Sequence, residues 1–144
     1  MRILSVIALF FSASAMACPD LTGTFTCTYQ DGSSEQVTIS QQINNGITMY
    51  NSNGSMISAD NKTYPVPDDE TIKNATFRAW CDGASLKGNL IGKYYNQGSY
   101  FGDLDMILDL SIAGRDLKNE TSGNLKDTGG TDYPLGGTTV CTRN

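Results

Sequence analysis

The chain has 144 residues, with 15 acidic and 10 basic side chains, no histidine and a formal net charge of −5. Its lysines and arginines are scattered, whereas binding to nucleic acid or to an anionic membrane surface needs clustered positive charge. We therefore expect neither of these as a partner. The length fits one domain with a modest hydrophobic core.

The N-terminal segment has the three parts of a secretory signal. Arg2 supplies the positive charge, residues 3–11 are apolar, and small residues form an Ala-x-Ala end at Ala17. This apolar run is too short to span a membrane as a helix, and no later stretch is apolar enough to do so. We expect residues 1–17 to be a signal peptide and residues 18–144 to be a single mature domain that is secreted or periplasmic. Loss of Arg2 would move the charge from −5 to −6.

The four cysteines all lie in the mature part of the chain, at Cys18, Cys27, Cys81 and Cys141. An even number of cysteines in an exported protein indicates disulfides. A zinc site is one alternative, but no pair has C-x-x-C spacing and there is no histidine ligand, so no metal is expected. Lipid modification of Cys18 is a second alternative, and it would leave one unpaired thiol among the other three.

The first half of the mature chain alternates between apolar and polar residues, as a half-buried strand does. Asp31-Gly32, Asn45-Gly46 and Asn53-Gly54 are tight-turn signals between these segments. The pattern predicts strands over residues 21–30, around 37–39, over 47–50 and over 55–59.

Residues 60–71 break this alternation. Pro65 and Pro67 remove backbone donors, which makes the segment poorly suited to a central strand, and an acidic run follows at residues 68–70. The segment is predicted to be a long exposed loop or lid.

The second half repeats the alternation more strongly. It predicts strands over residues 75–81, 86–94 and 103–112, a short one around Leu117 and a last one over 138–142. The glycine-rich residues 123–137 are predicted to form an irregular exposed loop. Asp103, Asp105 and Asp109 alternate with apolar residues and are expected on an outer, solvated face.

These segments predict an all-β protein, an antiparallel meander of eight or nine strands that closes into a barrel. Closure would remove the two exposed sheet edges, and a two-sheet sandwich is the alternative. An extended segment of about 30 Å separates Cys18 from Cys27, too far for a disulfide, so two connectivities remain. A closed barrel would favour Cys18–Cys141 together with Cys27–Cys81.

The sequence carries no catalytic pattern that we can identify. It has serines but no histidine to act as a base and no G-x-S-x-G turn, so a non-enzymatic protein without a cofactor is expected. Inward-facing glycines would either let barrel strands bend or leave room for a ligand; they are Gly23, Gly88, Gly92 and Gly102. The residues predicted to line an apolar ligand pocket are Tyr29, Met49, Leu90, Tyr94 and Met106.

Three short segments carry a family resemblance: residues 18–25, which include Gly23 and Phe25, residues 131–133 (Thr-Asp-Tyr), and Arg143 after the last strand. In these segments the chain resembles the calycins, that is, the lipocalins and avidin-like proteins. Residues 18–25 are similar to the first calycin strand, with Phe25 where that strand carries a tryptophan. Residues 131–133 resemble a second lipocalin motif, and Arg143 is similar to a closing arginine. The resemblance implies an eight-stranded barrel that binds a small apolar molecule, with Gly23 and Arg143 packing its closed end.

From these observations we expect an exported, non-enzymatic β-barrel that binds a small hydrophobic or amphipathic ligand. The alternative is a structural or interaction module of the cell envelope or secretome, such as an inhibitor, that acts through exposed loops 60–71 and 123–137. No particular protein partner follows from the sequence.

Overall fold

The computed structural model describes residues 17–144, and every regular element in that range is a β-strand. The predicted signal sequence, apart from Ala17, lies outside the described residues. In this range there is no helix that could cross a membrane. The ten strands are β1 Gly23–Thr28, β2 Ser34–Asn44, β3 Ile47–Ser52, β4 Ser55–Ser58, β5 Thr63–Val66, β6 Ile72–Asp82, β7 Ser85–Asn96, β8 Ser99–Ala113, β9 Asp116–Asp127 and β10 Asp132–Arg143.

The predicted turns set the strand order. Asn45 and Gly46 join β2 to β3 with φ of 50° and 77°, and Asn53 and Gly54 join β3 to β4 with φ of 48° and 90°. Paired positive φ values are typical of two-residue hairpin turns, where asparagine and glycine are the preferred residues. Such turns make sequential strands antiparallel neighbours, and the predicted all-β antiparallel meander is confirmed.

All ten strands belong to one sheet, in the order β4-β3-β2-β1-β10-β9-β8-β7-β6-β5. The first and last strands of the chain pair with each other at the middle of the sheet, with Phe25 opposite Arg143 and Cys27 opposite Cys141. The two edge strands, β4 and β5, are consecutive in the chain. The sheet curls until β4 contacts β6.

The predicted closed barrel is therefore wrong in two respects: the sheet is an open half-barrel, and it has ten strands rather than eight or nine. No β4–β5 pair is formed, although only residues 59–62 connect these strands. The connection is hydrogen-bonded on both sides, because the Ala59 amide donates to the carbonyl of Thr48 on β3 and the Asn61 amide donates to the carbonyl of Ala79 on β6. Both edge strands are short, and β5 contains Pro65, which offers no backbone donor.

Both predicted loops contain strand. Within residues 60–71 the structure has β5, and it is an edge strand, as its prolines indicated. The prediction of an irregular loop over residues 123–137 is wrong, since β9 and β10 pair from Lys126–Asp132 through Gly123–Leu135 to Thr121–Gly137. The strands continue through the glycines because the hydrogen bonds of the β9–β10 ladder join backbone groups and do not require side chains.

The favoured disulfide connectivity is also wrong. The structure joins Cys18 to Cys81 and Cys27 to Cys141, with Cα–Cα distances of 5.2 and 4.1 Å. Cys27 and Cys141 are directly opposed on β1 and β10. The prediction assumed that the chain continues the line of the first strand back to Cys18, but β1 begins only at Gly23.

Residues 18–22 instead leave the sheet and cross one end of it. Leu21 there has no exposed surface, and the Tyr50 hydroxyl donates to the carbonyl of Pro19 at 2.7 Å. This path carries Cys18 to the end of β6. The core lies on the concave face beneath it and consists of Leu21, Phe25, Cys27, Ile39, Tyr50, Ala79, Leu86, Leu117 and Cys141.

Candidate ligand-binding cleft

A cleft of about 460 Å³ opens between the two edge strands. This volume lies within the range of small-molecule pockets, roughly 300–1,000 Å³. Its walls come from the unpaired edges of β4 and β5, and its floor comes from β6 and β7. The lining residues are Ser55, Met56, Ile57, Ser58, Tyr64, Pro65, Val66, Pro67, Phe77, Ala79 and Leu90.

The floor of the cleft belongs to the concave face of the sheet. Phe77 and Leu90 are directly opposed on β6 and β7, and Leu90 is in turn opposed to Met106 on β8. All three side chains are only partly buried. Because the barrel is not closed between β4 and β5, this row of apolar side chains is accessible from the side.

The rims of the cleft are unpaired strand edges. In β4, counting from the Ser52–Ser55 hairpin pair, the backbone groups of Met56 and Ser58 face away from β3. In β5, the same counting from the Asp82–Ser85 pair through β6 leaves Thr63 and Pro65 facing the opening. Apolar walls therefore meet backbone donors and acceptors that are free to bind a polar atom.

The cleft has no charged lining. Tyr64 is its one ionisable side chain, and its hydroxyl donates to Asp60 just outside the lining. This hydrogen bond raises the pKa of Tyr64 and lowers the pKa of Asp60, so the tyrosine is neutral at physiological pH. The cleft is an uncharged apolar site.

The structure brings together only part of the predicted ligand-binding set. Leu90 lies in the cleft and Met106 is its cross-strand neighbour. Tyr94 lies four residues further along β7, packed edge-on against Phe101 at 6.0 Å between ring centroids. Met49 is on the face opposite to the buried Tyr50, and Tyr29 follows β1 with its exposed hydroxyl bonded to Glu35 at 3.0 Å.

Sequence reasoning missed most of the lining. Ile57 and Phe77 were assigned to strands without a functional role, and residues 64–67 were treated as loop. The available signal was the pair of prolines, because proline within a strand indicates an edge strand. An unpaired edge strand in turn indicates a place where the barrel is not closed. Which other strand forms the opposite wall depends on how far the sheet curls, and sequence periodicity does not report that.

The inward glycines do not open space for a ligand. A Cβ atom at Gly88 would meet the Phe77 ring, and one at Gly23 would meet the Arg143 guanidinium. At Gly92 a Cβ atom would meet Ala75, and at Gly102 the backbone of Lys126. These glycines permit close approach of neighbouring groups, and the space that their missing side chains leave is already filled by those groups.

The outer face is polar, as predicted. Asp103 pairs with Lys93 at 3.3 Å and Asp109 with Lys87 at 3.7 Å, while Asp105 accepts from Asn89 at 2.8 Å. Hydrogen bonds from Tyr100 and then Lys93 lower the pKa of Asp103. Between residues 17 and 144 no group of three or more acidic, cysteine or histidine side chains is placed to hold a metal ion.

A second hollow, of about 800 Å³, lies at the end of the sheet beside the Cys18–Cys81 disulfide. Its lining mixes apolar and polar groups and includes Asp60, Lys62 and Trp80. Gln41 also lines it, and the side-chain oxygen of this residue is buried without a hydrogen-bond partner. Because this hollow is more polar and contains none of the five predicted ligand residues, the β4–β5 cleft is the better candidate for an apolar ligand.

Comparison of the chain with protein-family models, with curated proteins and with solved structures finds no match to any of the three.

Proposed function

We propose that this chain is an exported, non-enzymatic β-protein that binds a small hydrophobic or amphipathic molecule in the β4–β5 cleft. The observation that carries the proposal is the uncharged cleft of about 460 Å³, which exposes Phe77 and Leu90 through an open barrel wall. Soluble proteins seldom leave such surface unfilled without a use for it.

Export is the part of the proposal that concerns localisation. Residues 1–17 would be removed as a signal peptide, which leaves Cys18 as the first residue of the mature chain. The two disulfides are compatible with an oxidising compartment outside the cytoplasm.

A calycin-like relationship is also part of the proposal. The resemblance implies that Gly23 and Arg143 have structural roles at the closed end. In support, the Arg143 guanidinium lies 4.7 Å from the centre of the Phe25 ring and donates to the carbonyl of Thr22 at 2.9 Å. The calycins have closed barrels, so a lateral cleft would be a departure from their pattern.

The test compares two neighbouring positions on β7 that face opposite sides of the sheet. We expect Leu90→Gln to weaken binding of the neutral fluorescent probe N-phenyl-1-naphthylamine about tenfold or more, because it removes apolar contact from the cleft. The matched control, Ile91→Gln, changes a side chain that is 49% exposed on the outer face and should leave the affinity unchanged.

A second variant, at the rim of the cleft, keeps the test valid if Leu90→Gln fails to fold. Tyr64 lines the cleft, is opposed to Phe77 on β6 and is 44% exposed, so Tyr64→Gln should keep the fold, checked by circular dichroism, and still weaken binding of the probe. Equal affinities for all four proteins, or no binding of the probe by the wild type, would overturn the proposal and favour an interaction module instead.

A further inference from the structure

We propose that the cleft selects uncharged ligands, namely molecules with an apolar body and a neutral hydroxyl or amide group, and discriminates against carboxylates of the same length. This inference rests on the proposed function and specifies its ligand class.

The first support is the chemistry of the lining. None of the lining side chains carries a charge at neutral pH, and their polar atoms are the hydroxyls of Ser55, Ser58 and Tyr64. A carboxylate that enters such a site loses hydration without gaining a cation, which is unfavourable. A neutral hydroxyl loses much less and can be hydrogen-bonded at the rim.

The second support is where the nearest charges are. Arg78 is directed to the outer face, with its guanidinium 5.0 Å from the centre of the Trp80 ring. Lys62 is exposed along the separate hollow together with Asp60, and these two charges attract each other. Asp60 also accepts the Tyr64 hydroxyl, which places a negative charge next to the cleft. The surroundings therefore repel an anion rather than attract one.

The third support is the backbone at the rims. Amides and carbonyls of Met56, Ser58 and Thr63 face the opening and lie beside the apolar walls. They can both donate to and accept from a hydroxyl or an amide, whereas a carboxylate can only accept. The carbonyl of Pro65 adds an acceptor without a donor.

The experiment measures displacement of N-phenyl-1-naphthylamine by decan-1-ol and by decanoate at neutral pH. Because the two competitors share one chain length, the comparison isolates the head group. We expect the alcohol to displace the probe at a concentration about tenfold lower than decanoate, or lower still. Decanoate that competes as well as decan-1-ol would overturn the inference while leaving the proposed function intact.

A charge variant tests whether the cleft itself sets this preference. Ser55 lines the cleft and is exposed, so Ser55→Lys should fold and should improve the affinity for decanoate about tenfold without improving that for decan-1-ol. The control, Ser122→Lys, adds the same charge on the outer face of β9 and should change neither affinity. Equal responses of the two variants would overturn the inference, and failure of every competitor and of the probe would overturn the proposed function.

Discussion

At the scale of single residues, Tyr50 links the N-terminal segment to the sheet. It is 1% exposed, and its hydroxyl donates to the carbonyl of Pro19. Burial raises the pKa of Tyr50 to about 12, with a smaller contribution from the negative charge of Asp20. The neutral phenol therefore favours the folded state, and its ionisation opposes folding.

This coupling predicts a loss of stability in alkali. Since the folded-state pKa exceeds the ordinary value of 10.0, the stabilisation is complete below pH 10 and disappears as the pH rises from 10 through 12. We expect this group to account for about 3 kcal/mol of the free energy of unfolding, since each pKa unit corresponds to about 1.4 kcal/mol. Urea unfolding of wild type and Tyr50→Phe across this range measures the effect.

The variant is expected to start about 1 kcal/mol less stable because it lacks the hydrogen bond to Pro19. It should then lose less stability between pH 10 and 12 than the wild type does. Parallel alkaline slopes for the two proteins would contradict the assignment to Tyr50.

At the scale of elements, two of the free stretches of strand edge carry a proline, one in β5 and one in β10, whereas the edge strand β4 has none. The backbone nitrogen of Pro65 faces the opening beside β5. On β10, the Asn144 amide bonds to Thr24 of β1, so alternate residues back to Pro134 face the same side. β1 opposes β10 only from Cys141 onward, and the edge at Pro134 is therefore unpaired by β1. A missing donor at each of these two edges hinders pairing with a further strand.

Replacing these prolines should promote self-association. We expect the double variant Pro65→Val, Pro134→Val to form dimers and larger species at concentrations where the wild type is dispersed, as seen by light scattering. Pro67→Val lies outside β5 and serves as the control. An unchanged size distribution for the double variant would show that the prolines do not protect the edges.

The sequence was a good guide to local structure and a poorer one to closure. Alternating residues and Asn-Gly turns predicted the strands and their antiparallel order, because both signals are local. The prediction for residues 123–137 was wrong because glycines give no alternation of apolar and polar side chains, although the β9–β10 ladder continues through them. Of the residues that line the cleft, only Leu90 was predicted to bind a ligand, and Met106 is its cross-strand neighbour. The remaining lining depends on the curl of the sheet, which accumulates over ten strands and is not a local property of the sequence.

At the scale of the whole molecule, two disulfides of different accessibility hold the sheet. Cys18 and Cys81 are half-buried, whereas Cys27 and Cys141 are 4% and 2% exposed. Each joins positions far apart in the chain, with separations of 63 and 114 residues. Each is expected to contribute about 2–4 kcal/mol by restricting the unfolded chain.

The difference in accessibility predicts stepwise reduction. Under native conditions a phosphine reductant should open Cys18–Cys81 first, because its phosphorus must reach a sulfur atom to attack the disulfide and this disulfide is the more exposed of the two. Alkylation with iodoacetamide followed by peptide mass spectrometry would then label Cys18 and Cys81 before the other two. The same experiment in denaturing urea is the control and should abolish the order. Earlier labelling of Cys27 and Cys141 in the native protein would contradict the prediction.

The sheet order has a consequence for how the polypeptide is held together. The two ends of the domain meet in the middle of the sheet, while its open sides belong to strands that are consecutive in mid-chain. A break of the backbone within residues 59–62 would interrupt no hairpin, because β4 and β5 do not pair with each other. Both disulfides would still join the two fragments, since each links a cysteine before the break to one after it. The architecture is thus closest to a ring cut at β4 and β5, and a circularly permuted chain beginning at β5 could form the same ten-stranded ladder.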